Sequence, residues 1–193
     1  MNTRRPLTIG MVAIFAFASF AFTALVNKDV KIKESTINWK GYKVTGEHYG
    51  TIDLKEGMLT FEADKLVGGN VVIDMASIKV TDMEGEYADK LTGHLKADDF
   101  FGTEKFPTAT LKFTKVSGHD AHYHVTADLT IKGITAPVSF EMTVKEGSAT
   151  AKLKIDRTKY GIKYGSASFF DNLKDKEVVN LIRKQLYRLI TKK

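Results

Sequence analysis

Four consecutive segments in the second half of the chain alternate apolar and polar residues with a period of two. They are residues 108–116, 122–132, 138–145 and 149–156, and turn-like runs at 117–120, 133–137 and 146–148 separate them. Strict alternation is typical of a strand with one buried and one solvated face. Short turns between consecutive strands favour antiparallel pairing, so the pattern predicts an all-β barrel or sandwich.

The first half of the chain contains shorter runs of the same kind. Predicted strands are residues 35–45, with a kink at Gly41, and residues 51–55, 58–65 and 71–75. Predicted turns are 56–57 and 67–70, because both runs contain glycine, which is common in turns. The polar residues 27–34 are interpreted as a lead-in, and the charged residues around 84–92 predict one short helix.

A segment between these halves breaks the alternation and concentrates aromatic residues. Phe100, Phe101 and Phe106 lie close in sequence to His94 and Pro107, just before the 108–116 strand. Three aromatic rings left in water would forgo much of the favourable free energy of burial. The segment is therefore predicted to be an irregular insertion that plugs one end of the core or of a cavity.

The first 26 residues have the marks of a secretory leader. Arg4 and Arg5 precede residues 7–26, which carry no charge, and Ser19-Phe20-Ala21 offers a small-x-small cleavage site after Ala21. The competing interpretation is an uncleaved anchor in the inner membrane, because residues 7–26 are about long enough to span a bilayer. Residues 27–193 are predicted to form one domain in the periplasm or outside the cell.

The composition argues against several functional classes. There is no cysteine, which excludes a disulfide framework and a thiolate nucleophile. The net charge of +6 is spread along the chain without a dense basic patch, so nucleic-acid binding is not predicted. No phosphate-cradling loop and no nucleophile, base and orienting group can be assembled from sequence motifs, so no enzyme is predicted.

The histidines have more than one possible role, as metal ligands, as polar groups in a cavity or as structural residues. His119, His122 and His124 are close enough to suggest a divalent metal, but a solvated polar face is favoured, and no metal or cofactor is predicted. His94 and His48 could each direct a polar group into an interior cavity or could be structural.

The aromatic residues are more numerous than a small core requires. They either fill the core or line a tunnel for one apolar ligand, which a small antiparallel barrel can hold. The candidate ligand-binding residues are Trp39, His48, Phe61, His94, Phe100, Phe101, Phe106, Phe140 and Phe169.

Several linked motifs resemble one known family. The runs are GHLKADDFF at 93–101 and KFPTA at 105–109, supported by HYG at 48–50, DMASI at 74–78, LTIKGIT at 129–135 and DRTKYGI at 156–162. Over about residues 27–176 the chain is similar to the YceI-like family of polyisoprenoid-binding, lipocalin-like periplasmic proteins. The resemblance implies an extended eight-stranded antiparallel lipocalin-like β-barrel around an apolar tunnel, with one or two short helices inserted between strands. It also implies binding, and transport or storage, of an isoprenoid or fatty-acyl amphiphile without catalysis.

The end of the chain departs from that family. Residues 178–193 place apolar side chains at helical spacing opposite basic ones, which by pattern alone predicts an amphipathic helix. A strand is slightly favoured, because an open edge beside the first strand would be prone to aggregation.

Two alternative functions stay open from the sequence. One is an enzyme that acts on an isoprenoid-like substrate, with His94 as acid or base, and the other is an envelope stress module with a filled core. The identity of the ligand is not determined, and contact with a membrane surface and a homodimer are left open.

Overall fold

The structure, a computed structural model, describes residues 27–33, 35–43, 46–163 and 177–181. These residues form nine strands, one α-helix and one 3-10 helix. The strands are β1 (Asn27–Lys31), β2 (Ile37–Lys43), β3 (Gly46–Glu62), β4 (Lys65–Val80), β5 (Thr108–His119), β6 (His122–Ile131), β7 (Ile134–Lys145), β8 (Ser148–Ile155) and β9 (Glu177–Leu181). Helix α1 (Gly85–Lys96) follows β4, and the 3-10 helix (Arg157–Tyr160) follows β8.

All strand pairs are antiparallel, and they form one curled sheet. Its order is β1-β3-β2-β9-β8-β7-β6-β5-β4, and β3 also pairs with β4. The predicted all-β class, the antiparallel pairing and the short helices between strands are confirmed. The count differs from eight because the short strand β1 adds to the edge of β3.

Strand β1 corrects the prediction of an irregular lead-in. Asn27–Lys31 pairs with β3 in the register Asn27↔Glu62 to Lys31↔Met58. Four of its five residues are exposed. A strand with almost no buried side chains has no need for alternating apolar residues, so the sequence pattern did not reveal it. Backbone pairing with a long neighbouring strand, rather than side-chain burial, defines this strand.

Two predicted turns in the first half are wrong because their glycines lie inside strands. Strand β3 runs continuously through 56–57 and absorbs the irregularity as register shifts, as β-bulges do. Gly68 and Gly69 lie within β4, where a Cβ on Gly69 would come 2.8 Å from the ring of Phe113. Close packing, and not a turn, requires that glycine.

The β3–β4 connection is instead a two-residue turn, Ala63-Asp64, with φ of 44° and 65°. The turns Asp120-Ala121, Lys132-Gly133 and Glu146-Gly147 likewise have positive φ at both residues. Such type I′-like turns match the twist of the flanking strands. The predicted turns at 117–120 and 133–137 were accordingly too long, since β5 extends to His119 and β7 begins at Ile134.

The predicted alternation is confirmed where the core is deepest. Strand β6 buries every second residue, namely Tyr123, Val125, Ala127, Leu129 and Ile131. Helix α1 confirms the predicted short helix but continues to Lys96, and it buries Leu95 next to β4. No helix within the described residues is long and apolar enough to cross a membrane.

At the C-terminus, the strand interpretation is confirmed for Glu177–Leu181. Strand β9 lies between β2 and β8, with the registers Ile37↔Leu181 and Ile155↔Glu177. Pairing on both sides satisfies the backbone N–H and C=O groups of β9. The helical spacing of the apolar residues does not reveal this pairing, because it depends on distant strands. Residues 182–193 and the leader 1–26 lie outside the described residues.

Candidate ligand cavity

An interior cavity lies at the end of the sheet that carries α1 and the aromatic segment. Its volume is about 80 Å³, several times the roughly 10–15 Å³ that a single water requires. Strands β2, β3, β4, β5, β6 and β8 supply aliphatic walls, and among the described lining residues only Lys40 and Arg157 carry charge. Apolar cavities of this kind stay dry and accept apolar guests.

Phe100 and Phe101 form one wall of this cavity. Their rings meet edge to face, with centroids 4.9 Å apart. The chain turns back directly after α1, because the N–H of Phe101 donates to the carbonyl of Leu95 at 3.1 Å and the N–H of Gly102 donates to that of Ala97 at 2.8 Å. Gly102 has a φ of 58°, which favours glycine. The turn holds both rings against the strands.

Trp39 lines the cavity from β2. Its indole Nε1 donates to the carbonyl of Lys79 at 3.1 Å, across the position of Gly50 on β3. A Cβ on Gly50 would lie 1.8 Å from the Lys79 carbonyl oxygen and 2.8 Å from the Trp39 ring. The ring can therefore reach this carbonyl only because residue 50 has no side chain.

Phe106, although close in sequence, is not among the residues that line the cavity. Its ring lies 3.5 Å from where a Cβ on Gly102 would stand and 3.4 Å from where a Cβ on Gly133 would stand. The Lys132 ammonium donates to the Asp98 carbonyl at 2.7 Å across the same region. Phe106 thus packs between the aromatic segment and the β6–β7 turn.

The two candidate histidines are also not on the cavity lining. His94 meets Phe100 edge to face at 5.6 Å, and its Nδ1 is 3.8 Å from a carboxylate oxygen of Asp99. His48 Nδ1 lies 2.8 Å from Asp82 Oδ2. Burial alone would raise the pKa of Asp82, but hydrogen bonds from His48 and from the backbone of Tyr49 lower it, and the net pKa is below its usual value.

The remaining predicted residues are distributed elsewhere. Phe61 lines a second groove of about 330 Å³, with Val30 and Val144, toward the opposite end of the strands. Phe140 is buried, and its ring meets that of Phe113 edge to face at 5.9 Å. Phe169 lies outside the described residues. Among the described candidates, the structure therefore brings Trp39, Phe100 and Phe101 together on the cavity lining, which does not include His48, Phe61, His94, Phe106 or Phe140.

Sequence reasoning named only Trp39, Phe100 and Phe101 of the described cavity lining and missed the rest, including two notable contributors. The first is strand β4, which supplies Ile73, Met75 and Ile78; the available signal was the alternation within the predicted strand 71–75, which contains the first two. Arg157 is the second: it is only 7% exposed, and its Cζ lies 5.3 Å from the centre of the Phe100 ring. The apolar–polar alternation that identifies inward-facing residues does not identify a charged residue that borders an apolar cavity.

The three clustered histidines are exposed and lie at the β5–β6 hairpin. His124 Nδ1 lies 2.8 Å from Glu141 and His119 Nδ1 lies 2.7 Å from Asp120. Among the described residues no group of three or more His, Cys, Asp or Glu side chains is arranged to hold a metal ion.

Comparison with known proteins gives consistent matches. The YceI-like domain profile matches residues 27–181. The UPF0312 protein plu2095 of Photorhabdus laumondii is 32% identical over 141 residues, which cover 71% of this chain and 69% of that protein. Protein YceI of Escherichia coli O157:H7 is 34% identical over 139 residues, which cover 65% and 67%.

Two solved structures have a similar fold. BcnA of Burkholderia cenocepacia superposes with a TM-score of 0.63 at 19% identity, over 77% of this chain and 94% of BcnA. A YCEI protein of Campylobacter jejuni superposes with a TM-score of 0.51 at 19% identity, over 96% and 94%. The profile match extends from β1 to β9 and includes every described residue that lines the cavity. The predicted resemblance is thereby confirmed, and the chain belongs to the YceI-like family.

Proposed function

We propose that this protein binds a long apolar chain, of isoprenoid or fatty-acyl type, in its interior cavity. The observation that carries the proposal is the lining, in which Trp39, Phe100 and Phe101 face aliphatic side chains from six strands. Moving an apolar chain from water into such a cavity gains about 25 cal/mol for each Å² of apolar surface that is buried.

We further infer that the curled sheet closes into a barrel, as small ligand-binding antiparallel barrels do. Strand β9 pairs with β8 on one side and β2 on the other, β2 pairs with β3, and β3 pairs with β4. Strand β4 in turn pairs with β5, and the pairing continues through β6 and β7 back to β8, so the pairings form a closed circuit. Closure would enclose the ligand without leaving an open edge beside the cavity.

The cavity volume of about 80 Å³ is small for a complete long chain, because ligand sites for drug-sized molecules are typically several hundred Å³. Binding is therefore expected to widen the cavity. Met75 on the wall has a flexible, unbranched side chain that adapts to such changes. Phe101 is only partly buried, so its ring has room to move.

Organic extraction of the protein purified from its native cell envelope, followed by mass spectrometry, tests the proposal. A long-chain compound at near-equal molar ratio supports it. Protein that is empty, and that fails to bind a fluorescent fatty-acyl or isoprenoid probe, would favour the stress module with a filled core.

Enzymatic action on an isoprenoid-like substrate receives less support. That hypothesis requires His94 to reach the substrate, whereas the ring lies behind Phe100 and beside Asp99. Neither His94 nor Asp99 is among the residues that line the cavity.

We also propose that the protein carries or stores its ligand in the periplasm after its leader is cleaved following Ala21. The support is the pattern of Arg4, Arg5 and the uncharged residues 7–26. N-terminal sequencing of envelope protein is expected to start at Phe22. A membrane-bound form that retains Arg4 and Arg5 would establish the anchor instead.

A further inference from the structure

Strands β7 and β8 pair with each other over only part of their length. Their ladder runs from Lys145↔Ser148 to Glu141↔Lys152. Strand β7 nevertheless begins at Ile134, and β8 continues to Ile155. Beyond the pair Glu141↔Lys152 the two strands therefore run on without pairing to each other.

The sequence of β7 accounts for the end of this ladder. Ile134 pairs with Ile131 across a two-residue turn, so Ile134 and every second residue after it direct their backbone N–H and C=O groups to β6. Pro137 lies between these positions, where the backbone nitrogen faces the β8 side. Proline has no N–H, so it cannot donate to a ladder with β8. Strand β8 stays in the sheet at this level because it pairs with β9, in the register Leu153↔Val179.

A groove lies along the unpaired stretch, and we call it the side groove. Its volume is about 340 Å³, and it is lined by residues 137–139 of β7, by residues 154–156 at the end of β8 and by the 3-10 helix that follows. Both strands contribute consecutive residues, and consecutive residues of a strand point to opposite faces of a sheet. The side groove therefore follows the gap between the strands rather than one face of the sheet.

The side groove reaches the wall of the interior cavity. Ile155 is the described residue that lines both spaces. The side chains of Ile155 and Val138 are partly buried and pack against the core, whereas Ser139 and Lys154 are exposed. The groove thus runs from the surface to the cavity wall at a place where no β7–β8 ladder crosses it. The two strands remain paired over 141–145, so the gap is local and the circuit of strands is kept.

We propose that the side groove is a second binding site for the apolar chain, which extends from the cavity past Ile155 and through the gap between β7 and β8. This inference rests on the proposed function and specifies where the remainder of a long ligand lies. The cavity holds about 80 Å³, whereas sites for drug-sized ligands typically hold about 300–1,000 Å³. The side groove adds about 340 Å³ directly beside it. Contact with Val138 and Ile155 removes apolar surface of the chain from water, which favours binding there.

Single engineered thiols test whether the side groove is occupied, because the natural chain has no cysteine. Val138→Cys places a thiol at a residue that lines the side groove but not the cavity. Val144→Cys is the matched control, because this residue lies on the same face of β7, is also partly buried and pairs with Ala149 within the ladder. Val144 lines the groove that contains Phe61, so it also reports whether a ligand leaves the core at the opposite end.

The rate of modification by N-ethylmaleimide is measured by mass spectrometry with and without ligand. The probes are palmitic acid and geranylgeraniol, whose affinities are first determined by displacement of cis-parinaric acid. At a free concentration about tenfold above Kd, mass action leaves about a tenth of the protein empty, so the Val138→Cys thiol is expected to react roughly tenfold more slowly. The Val144→Cys thiol is expected to react at an unchanged rate.

A second pair of thiols repeats the comparison on β8, in case the partly buried Val138→Cys reacts too slowly or does not fold. Lys154→Cys lies at the rim of the side groove, and Lys152→Cys lies on the same face of β8 opposite Glu141, within the ladder. Both positions are exposed. We expect a bound chain to protect the thiol of Lys154→Cys and to leave that of Lys152→Cys unprotected. Circular dichroism melts check that all four variants fold.

The possible outcomes separate this inference from the proposed function. Chains that bind but protect neither Val138→Cys nor Lys154→Cys would overturn the inference and leave the proposed function intact. Equal protection of each variant and its control would indicate general tightening of the sheet and would also overturn it, as would protection of Val144→Cys alone. Failure of both chains to bind would overturn the proposed function and the inference with it.

Discussion

His48 and Asp82 join the start of β3 to the segment that leads from β4 into α1. His48 Nδ1 lies 2.8 Å from Asp82 Oδ2, and the other carboxylate oxygen accepts the N–H of Tyr49 at 3.2 Å. The N–H of Thr81 donates to the Tyr49 carbonyl at 3.0 Å beside them. The Asp82 side chain is only 11% exposed, so this carboxylate bridges two elements in a largely desolvated position.

We expect this carboxylate to make stability depend on pH in the acid range. Because the pKa of Asp82 is lowered below 3.8 in the folded protein, its contribution is present above that value. The contribution is lost as the pH falls through the folded pKa. The difference in free energy of unfolding between wild type and Asp82→Asn, measured by urea titration, should shrink from about pH 6 to about pH 3. A difference that stays constant across that range would contradict the assignment.

Truncation of a cavity ring is expected to affect binding more than stability. Phe101 is partly buried and borders existing empty space, so Phe101→Ala should weaken binding of a fluorescent fatty-acyl or isoprenoid probe while lowering the melting temperature of ligand-free protein only modestly.

Phe140→Ala is the matched control, since this ring is 5% exposed, packs against Phe113 and is not among the cavity lining. It should cost about 3–5 kcal/mol of stability. Severe destabilisation by Phe101→Ala, with intact probe affinity in the folded fraction, would make Phe101 a core residue.

Two glycines should respond oppositely to alanine. Gly50→Ala would force a Cβ to 1.8 Å from the Lys79 carbonyl oxygen, so it should be strongly destabilising and should release the Trp39 hydrogen bond. Gly93→Ala, in the exposed face of α1, meets no atom within 4 Å and should stabilise the protein by about 0.5–1 kcal/mol. Thermal melts with tryptophan fluorescence measure both effects. Similar melting temperatures for the two variants would show that the strands near Gly50 can separate.

A substitution in the turn between β3 and β4 is expected to increase the stability of the protein. Ala63 has a φ of 44°, a conformation in which alanine is strained and asparagine is favoured. Ala63→Asn is expected to raise the free energy of unfolding by a few tenths to about 1 kcal/mol. Ala121 also has positive φ, at 73°, and Ala121→Asn offers an independent repeat of the test at the β5–β6 turn. Destabilisation at both sites would argue against this turn geometry.

The local pattern of the chain was enough to determine which faces of the later strands are buried. Tyr123, Leu129 and Phe140 could be placed inward because alternation is a property of neighbouring residues on a pleated strand. The short helix α1 and the irregular aromatic segment could be predicted for the same reason, since a change of period is visible within a few residues.

Only the tertiary structure decided which segments pair and which side chains share a cavity. Strand β1 and strand β9 exist because a distant strand offers hydrogen-bond partners, which no local period records. Phe106 and Phe101 are five residues apart, yet only Phe101 lines the cavity. The chain reverses direction at Gly102, so the residues before and after this glycine pack in different places. Arg157 reaches that cavity through its contacts with Phe100 and Ile162, and such long-range packing depends on the whole fold rather than on sequence neighbours.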